Sequence, residues 1–407
     1  GSLYYASHLN KQFDVISIGI SGEEKNKLNV TNYLCLRSFK KEKVFSNKLL
    51  DIDSYVDGYE QNPQKFNQDY VQLLAYAKIL NKNLQKNKIS ANYRSLLIGS
   101  IIIAIENKPF SKSYKSVNKP KALAELVINS AINELENAGL IRERLENLRT
   151  QFSFIKTERS LSKKENYLKD LIIGIEENIF TFKRTHKYTD TMTAFYIEFL
   201  RYANKDKAMG IVLTPPHITE LFTELAEVSK QSVVFDNCAG TGGFLISAMK
   251  KMVLNAQNDK QAIKRIKSKQ LIGIEDQSNV YALLISNLFI HQDGKTNIVP
   301  GNCFDQENIN FVKKFKPNVG LLNPPYKSDK KDDIEELEFV LNNLECLEPN
   351  SLCVGLLPMQ SSISTDGEIL QLKKKILESH TLKAVLSLPD QLFHGSANVV
   401  SCAMVFI

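Results

Sequence analysis

No stretch of this sequence is apolar for long enough to cross a bilayer. The longest apolar run, Leu96-Leu97-Ile98-Gly99-Ser100-Ile101-Ile102-Ile103-Ala104-Ile105, falls well short of the roughly 20 residues a spanning helix needs. It reads as a buried helix, and no signal-peptide pattern precedes it. Paired cysteines are missing too. The six, Cys35, Cys238, Cys303, Cys346, Cys353 and Cys402, are scattered, with no C-x-x-C pair and no histidine at metal-ligand spacing. That excludes a disulfide scaffold and a zinc site, and is expected of reduced thiols in a cytoplasmic protein. No G-x-x-x-x-G-K followed by Ser or Thr occurs, and Leu245 stands where a dinucleotide fingerprint would carry its third small residue. Neither an ATP phosphate cradle nor a nicotinamide site is therefore supported. Hydrophobic content of 43% and charged content of 24% exclude a disordered chain. Lys plus Arg exceed Asp plus Glu by 52 to 45, a net charge of +7. So small an excess is compatible with a nucleic-acid partner and equally with a solvated surface.

With 407 residues the chain can hold two or three domains with their own cores. Its hydrophobic periodicity divides it in three. Residues 1–60 alternate as strands do around Phe13 to Gly22 and Tyr33 to Leu36, too little for a core, and are expected to be the tail of a preceding α/β region. From 61 to 190, sets such as Tyr70, Leu73, Leu74, Ala77 and Leu80, or Leu123, Leu126, Val127, Ala131 and Leu135, recur at helical spacing and predict a four- to five-helix bundle. From 191 to 407, strands beginning at 233, 271, 297, 319, 352, 382 and 400 alternate with helices, which predicts an α/β fold.

Two stretches in the last segment carry chemistry. Val233-Val234-Phe235 is a buried strand that stops on Asp236 and turns through Asn237-Cys238-Ala239-Gly240-Thr241-Gly242-Gly243 into a helix. Glycines there let backbone approach a ligand closely, and an acid at the strand end suits a cationic amine better than a phosphate. Val319 to Leu322, another apolar strand, ends in Asn323-Pro324-Pro325-Tyr326. Taken alone this is an ordinary strand-ending turn. Beside the glycine turn it could hold a flat, amine-bearing group. Ahead of both lies Gly210-Ile211-Val212-Leu213-Thr214-Pro215-Pro216, in which the threonine and prolines are expected to open a helix through its cap and first turn. Between them the strand Leu271 to Ile274 ends at Glu275, placed to accept two ribose hydroxyls, with Asp276 as its competitor.

In this order and spacing the stretches resemble the S-adenosylmethionine and catalytic motifs of amino-methylating DNA methyltransferases. The placement of Gly210 to Pro216 is similar to that in modification (M) subunits of type I restriction-modification systems and their fused type II relatives. The resemblance covers 191–407 and extends loosely over the helical region. It implies an α/β, Rossmann-like S-adenosylmethionine-dependent methyltransferase domain, with a seven-stranded, mostly parallel sheet and an N-terminal helical domain, acting on the exocyclic N6 amine of adenine in DNA. It implies S-adenosylmethionine as cofactor. Leu213, Thr214 and Pro215 would lie at its methionine end, Asp236, Ala239, Gly240, Thr241, Gly242 and Gly243 around it, and Glu275 on the ribose. Asn302, with Asp305 as the alternative, would meet its adenine ring.

The same resemblance makes Asn323, Pro324, Pro325 and Tyr326 the catalytic residues. The side-chain oxygen of Asn323 and the carbonyl of Pro324 would accept the amine hydrogens and push the nitrogen toward tetrahedral geometry. The prolines stiffen that pair and bring no competing N–H, and Tyr326 offers a face on which a base turned out of the duplex can stack. No metal is required. The implied partners are double-stranded DNA, a target-recognition (specificity) subunit or domain expected beyond Ile407, and a restriction subunit or fused nuclease. Residues 1–60 are faintly similar to the end of the nuclease-like segment in fused restriction enzymes, without a recognisable nuclease motif. No cysteine follows a proline, which excludes carbon-5 cytosine methylation; the cytosine amine stays open. The alternatives are an RNA or protein-glutamine amine methyltransferase, or a non-catalytic assembly subunit.

Overall fold

The computed structural model describes residues 2–24, 27–37, 43–60, 62–186, 214–257, 259–291, 297–327, 334–389 and 400–407. It forms two compact units, Gly1–Ala75 with Arg184–His186, and Tyr76–Lys183 with Lys187–Ile407. Among the described residues no helix is long and apolar enough to cross a membrane.

In the first unit, α1 (Ser2–Leu9) precedes an antiparallel sheet of β1 (Val15–Ser21), β2 (Asn29–Cys35) and β3 (Lys43–Ser46), followed by α2 (Ile52–Glu60) and the start of α3 (Pro63–Lys86). The third strand was not legible in the sequence; its Phe45 ring stacks on Tyr55 of α2 at 5.8 Å between centroids. A chain of buried and half-buried polar groups completes the unit. Lys65 Nζ lies 3.1 Å from Asp14 and 2.7 Å from Asp69. Tyr59 donates to Asp14, and His186 meets Asp69 at 2.8 Å.

The second unit begins with helical layers, α4 (Ala91–Glu106), α5 (Pro120–Asn137), α6 (Arg142–Phe152) and α7 (Tyr167–Ile175). The apolar run of the sequence is the body of α4, where Leu96, Leu97, Ile98, Ile101, Ile102, Ile103 and Ala104 are all buried. A helix apolar on every side must be covered on every side. Beyond α8 (Pro216–Leu225) the chain alternates strand and helix: β4 (Val234–Asp236), α9 (Gly243–Ala256), α10 (Lys260–Lys269), β5 (Leu271–Glu275), α11 (Ser278–Ile290), β6 (Ile298–Pro300), α12 (Gln306–Lys313), β7 (Val319–Leu322), α13 (Glu336–Cys346), β8 (Leu352–Pro358), α14 (Gly367–Ser379), β9 (Leu382–Ser387) and β10 (Ser401–Phe406). All seven strands expected from the sequence form within one residue of the expected starts. Helix α11 lies between the sheet and the helical layer, touching β5 and β6 on one side and α4 and α6 on the other. Val280, Tyr281, Leu284, Ile285 and Leu288 are accordingly buried all around it.

The strands join in the order β6-β5-β4-β7-β8-β10-β9. The first five are parallel, and β10 runs antiparallel between β8 and β9. Chain order reverses between β4 and β7, and a parallel sheet opens a crevice at the carboxyl ends of its strands at such a switch. Asp236 ends β4, Glu275 ends β5 and Asn323 follows β7, so all three stand at that edge. Phe235, Ile272, Leu322, Val340, Leu344 and Met404 form part of the core beneath.

Candidate active site

Strand β4 is buried at every position, so its terminal carboxyl is dragged into the interior with it. Asp236 is 1% exposed. Its Oδ1 accepts from the Cys238 amide at 3.0 Å, while Oδ2 has no hydrogen-bond partner among the described residues. Burial, reinforced by the neighbouring Glu275 charge, pushes this carboxyl up to about 8.

The turn that follows is laced to β5. The Ala239 amide donates to the Ile274 carbonyl at 3.0 Å, and the Gly240 amide donates to Glu275 Oε2 at 2.9 Å. Gly240 and Gly242 have φ of +54° and +89°, a region that costs other residues about 1–2 kcal/mol. Gly242 is doubly constrained, since a Cβ there would stand 2.6 Å from Leu284 Cδ1 of α11. Glu275 Oε1 accepts from the Gln277 amide at 3.0 Å, so both carboxylate oxygens brace backbone. Burial still pushes its acid up to about 7, against those two bonds.

A cleft of about 260 Å³ opens above this turn. Thr214, Ala239, Gly240, Thr241, Gly243, Glu275, Asn302, Asn323, Pro324 and Pro325 all line it, together with Asp276, Gln277, Phe304 and Phe339. Pro215, Asp236 and Gly242 lie outside that wall, and Leu213, with Gly210 to Val212, lies outside the described residues. Of the two candidates after β6, Asn302 lines the cleft and Asp305 stands at the N-cap of α12. The Oδ1 of Asn302 takes the Phe304 amide at 3.0 Å.

The helix start ahead of the turn differs from expectation in one respect. Pro215 occupies the cap position of α8 and Pro216 its first turn, while the Thr214 hydroxyl accepts Asn323 Nδ2–H at 3.0 Å and caps nothing. Helix α8 is seated on α9 by the Phe222 and Phe244 rings, 5.2 Å apart, and by a 2.6 Å contact between the hydroxyls of Thr219 and Ser247. On the far side, Tyr326 is half-buried, its phenol 3.4 Å from Ser401 Oγ of β10, and it is absent from the cleft wall. Desolvation raises that phenol well above its ordinary value. Lys327 closes the stretch: its amide donates to Glu336 Oε1 at 2.7 Å and its Nζ meets Glu335 at 2.8 Å, tying the end of the tetrapeptide to the start of α13.

A buried amide network escaped the sequence reading. Asn237 Nδ2 donates to the Phe339 carbonyl and to Asn342 Oδ1, Asn343 Nδ2 donates to Asn237 Oδ1, and Asn342 Nδ2 donates to the Cys303 carbonyl. It joins the glycine turn, the loop after β6 and helix α13. The signal was an Asn-Asn pair inside the apolar run Phe339 to Leu344, where an unbonded amide would be costly.

A crevice at the switch point of this sheet, floored by a glycine turn and walled by a strand-ending acid and an Asn-Pro-Pro stretch, defines the S-adenosylmethionine-dependent methyltransferase class. The chain belongs to the N-6 DNA Methylase family, whose family model matches residues 187–407, and it is a DNA methyltransferase of the adenine-N6 type. It is 30% identical over 437 residues to the type II restriction enzyme and methyltransferase RM.BcgI of Heyndrickxia coagulans, spanning 100% of this chain and 67% of that protein. Among solved structures it is similar to a chain of a type I R-M system described for its complex assembly and conformational transition, at 20% identity and a TM-score of 0.59 over 82% of this chain and 74% of that one. It is also similar to the type I restriction-modification methyltransferase subunit of Streptococcus thermophilus, at 15% identity and a TM-score of 0.50 over 84% of each chain.

Proposed function

We propose that the chain is the modification component of a restriction-modification system, transferring a methyl group from S-adenosylmethionine to the N6 amine of an adenine turned out of duplex DNA. A separate target-recognition subunit or domain would choose the sequence, a restriction subunit or fused nuclease would accompany it, and the cytoplasm is its compartment. The observation that carries this reading is that Asp236, Glu275 and Asn323 stand at the carboxyl ends of three adjacent parallel strands, with Glu275 and Asn323 lining one cleft and Asp236 buried outside its wall.

The residues present fit the cofactor. The buried Asp236 Oδ2 has no hydrogen-bond partner among the described residues. The positive-φ glycines keep Cβ atoms out of the turn, and Glu275 keeps lone pairs for ribose hydroxyls beyond the two amides it accepts. Leu213, Thr214 and Pro215 would border the methionine end, Asp236 and Ala239 to Gly243 would surround it, and Asn302 would meet the adenine edge. When bound, S-adenosylmethionine supplies an electrophilic methyl on a sulfonium.

The chain supplies position and charge. An exocyclic adenine amine is a poor nucleophile because its lone pair is delocalised into the ring. Asn323 Oδ1 and the Pro324 carbonyl accept its two hydrogens and turn the nitrogen toward a tetrahedral, nucleophilic geometry. Pro324 and Pro325 bring no N–H to compete, and Tyr326 stacks on the base. The test is transfer of tritiated methyl by the assembled enzyme to DNA, RNA and protein, followed by nucleoside analysis. Label confined to N6-methyladenine of DNA is the expected result; label in RNA or a glutamine amide, or in cytosine, would reject the reading.

A further inference from the structure

We propose that Thr214 is a positioning residue that holds the Asn323 side-chain amide in place at the cleft, an inference that rests on the reading of Asn323 as the amine acceptor. Both residues line the cleft, and Thr214 Oγ1 stands 3.0 Å from Asn323 Nδ2. A side-chain amide turned over by 180° keeps its shape and exchanges acceptor for donor. An amine that donates both its hydrogens in hydrogen bonds is served by Oδ1 and opposed by Nδ2, and with Nδ2 engaged on Thr214 it is Oδ1 that the amide has left to offer.

The sequence around Thr214 suits this task. A threonine at a helix start ordinarily turns its oxygen onto free backbone amides of the first turn. Here the next two residues are Pro215 and Pro216, which carry no amide hydrogen, and the cap position has passed to Pro215. The hydroxyl is thereby released from capping and spends its acceptor on Asn323. Pro215, at φ −60° and ψ 144°, also holds the segment stiff, and α8 is anchored on α9 through the Thr219–Ser247 contact. Thr214 thus stands at the head of an anchored helix, with the Asn323 amide nitrogen resting on its hydroxyl. Two elements distant in sequence, the start of α8 and the end of β7, meet through this bond.

The experiment uses the assembled enzyme on DNA of its own recognition sequence and compares Thr214→Val, which keeps the shape and loses the hydroxyl, with Thr214→Ser, which keeps the hydroxyl. We expect Thr214→Val to lower kcat at saturating cofactor by about tenfold, the scale of one neutral hydrogen bond. Thr214→Ser should stay within about threefold of the parent, since the hydrogen bond survives. A second reading avoids turnover: with S-adenosylhomocysteine bound, the parent should prefer DNA carrying adenine at the target over DNA carrying purine, which lacks the amine. Thr214→Val should lose most of that preference and Thr214→Ser retain it. Calorimetry with S-adenosylhomocysteine reads the cofactor contact of Thr214 separately, and in Thr214→Val the loss of kcat and of adenine preference should exceed any loss of cofactor affinity. If Thr214→Val weakens S-adenosylhomocysteine about tenfold and leaves kcat and the adenine preference intact, Thr214 is a cofactor contact only and the proposal is overturned. Equal loss in the Ser and Val variants at unchanged Tm would overturn it too. Wild-type transfer by Asn323→Ala would instead reject the underlying assignment of Asn323.

Discussion

Glu275 Oε2 holds the amide of Gly240 at 2.9 Å, so the acid at the end of β5 braces the turn at the end of β4. The same carboxylate accepts the Gln277 amide through its other oxygen. Glu275→Gln would set an NH₂ against one of those amides, donor facing donor. We expect a loss of about 1–3 kcal/mol in stability and at least about tenfold weaker binding of S-adenosylhomocysteine. Denaturant melts and calorimetry measure both, and unchanged values in the Gln variant would show that the brace is idle.

Asp236 and Glu275 make the stability of the unliganded chain depend on pH in a definite direction. Burial raises their folded values to about 8 and about 7, above the ordinary carboxylate range of about 4. The folded state thus binds more protons than the unfolded one between those limits, and stability falls as pH rises from about 4 toward 8. Asp236→Asn removes the larger share. Its Tm should gain on the parent steadily between pH 5 and pH 8. A constant Tm difference across that range would refute the assignment.

Gly320 and Gly240 should both lose stability as alanine, for different reasons. A Cβ on Gly320 collides with the Asn343 amide oxygen that also receives the Cys353 thiol. Gly320→Ala should cost about 1–3 kcal/mol by overpacking. Among the described residues a Cβ on Gly240 meets the Cys238 carbonyl alone, at 3.9 Å, so its variant carries chiefly the cost of a positive φ of +54°, about 1–2 kcal/mol. Guanidinium unfolding of the two variants checks both losses.

Asn323→Ala removes the side-chain acceptor and should lower methyl transfer by at least about a hundredfold while the fold persists, the usual effect of losing one preorganised polar group. Tyr326 separates into two parts. Its phenol reaches Ser401 at 3.4 Å, a long contact, so Tyr326→Phe should keep transfer within about threefold, in line with a weak bond. Tyr326→Ala loses the stacking face and should lower transfer at least about tenfold. Equal activity in Phe and Ala variants would remove the ring from the chemistry.

Much of the fold was legible because strands buried on both faces are continuous apolar runs bounded by turn residues, as in Leu271 to Glu275 and Ser401 to Phe406. Strand β3, and the helices α10, α12 and α14, were not. Lys43-Val44-Phe45-Ser46 is too short to show a period, and α10 carries a dense run of lysines over a narrow apolar stripe. The Asn237, Asn342 and Asn343 network was invisible for another reason: Asn237 lies more than a hundred residues from the other two, and they acquire their role only when α13 packs against the glycine turn.

By itself, the sequence determined which residues must bend, cap, bury or bond locally: the glycines that tolerate positive φ, the prolines that withhold amides, the acids that end strands. The meeting of Thr214 with Asn323, the capture of Gly240 by Glu275 and the withdrawal of Tyr326 toward Ser401 were decided by the tertiary structure. The physical reason is range. Turn and cap preferences act over a few covalent bonds, whereas a side chain's partner depends on strand order, here the reversal between β4 and β7, which the assembled sheet alone specifies.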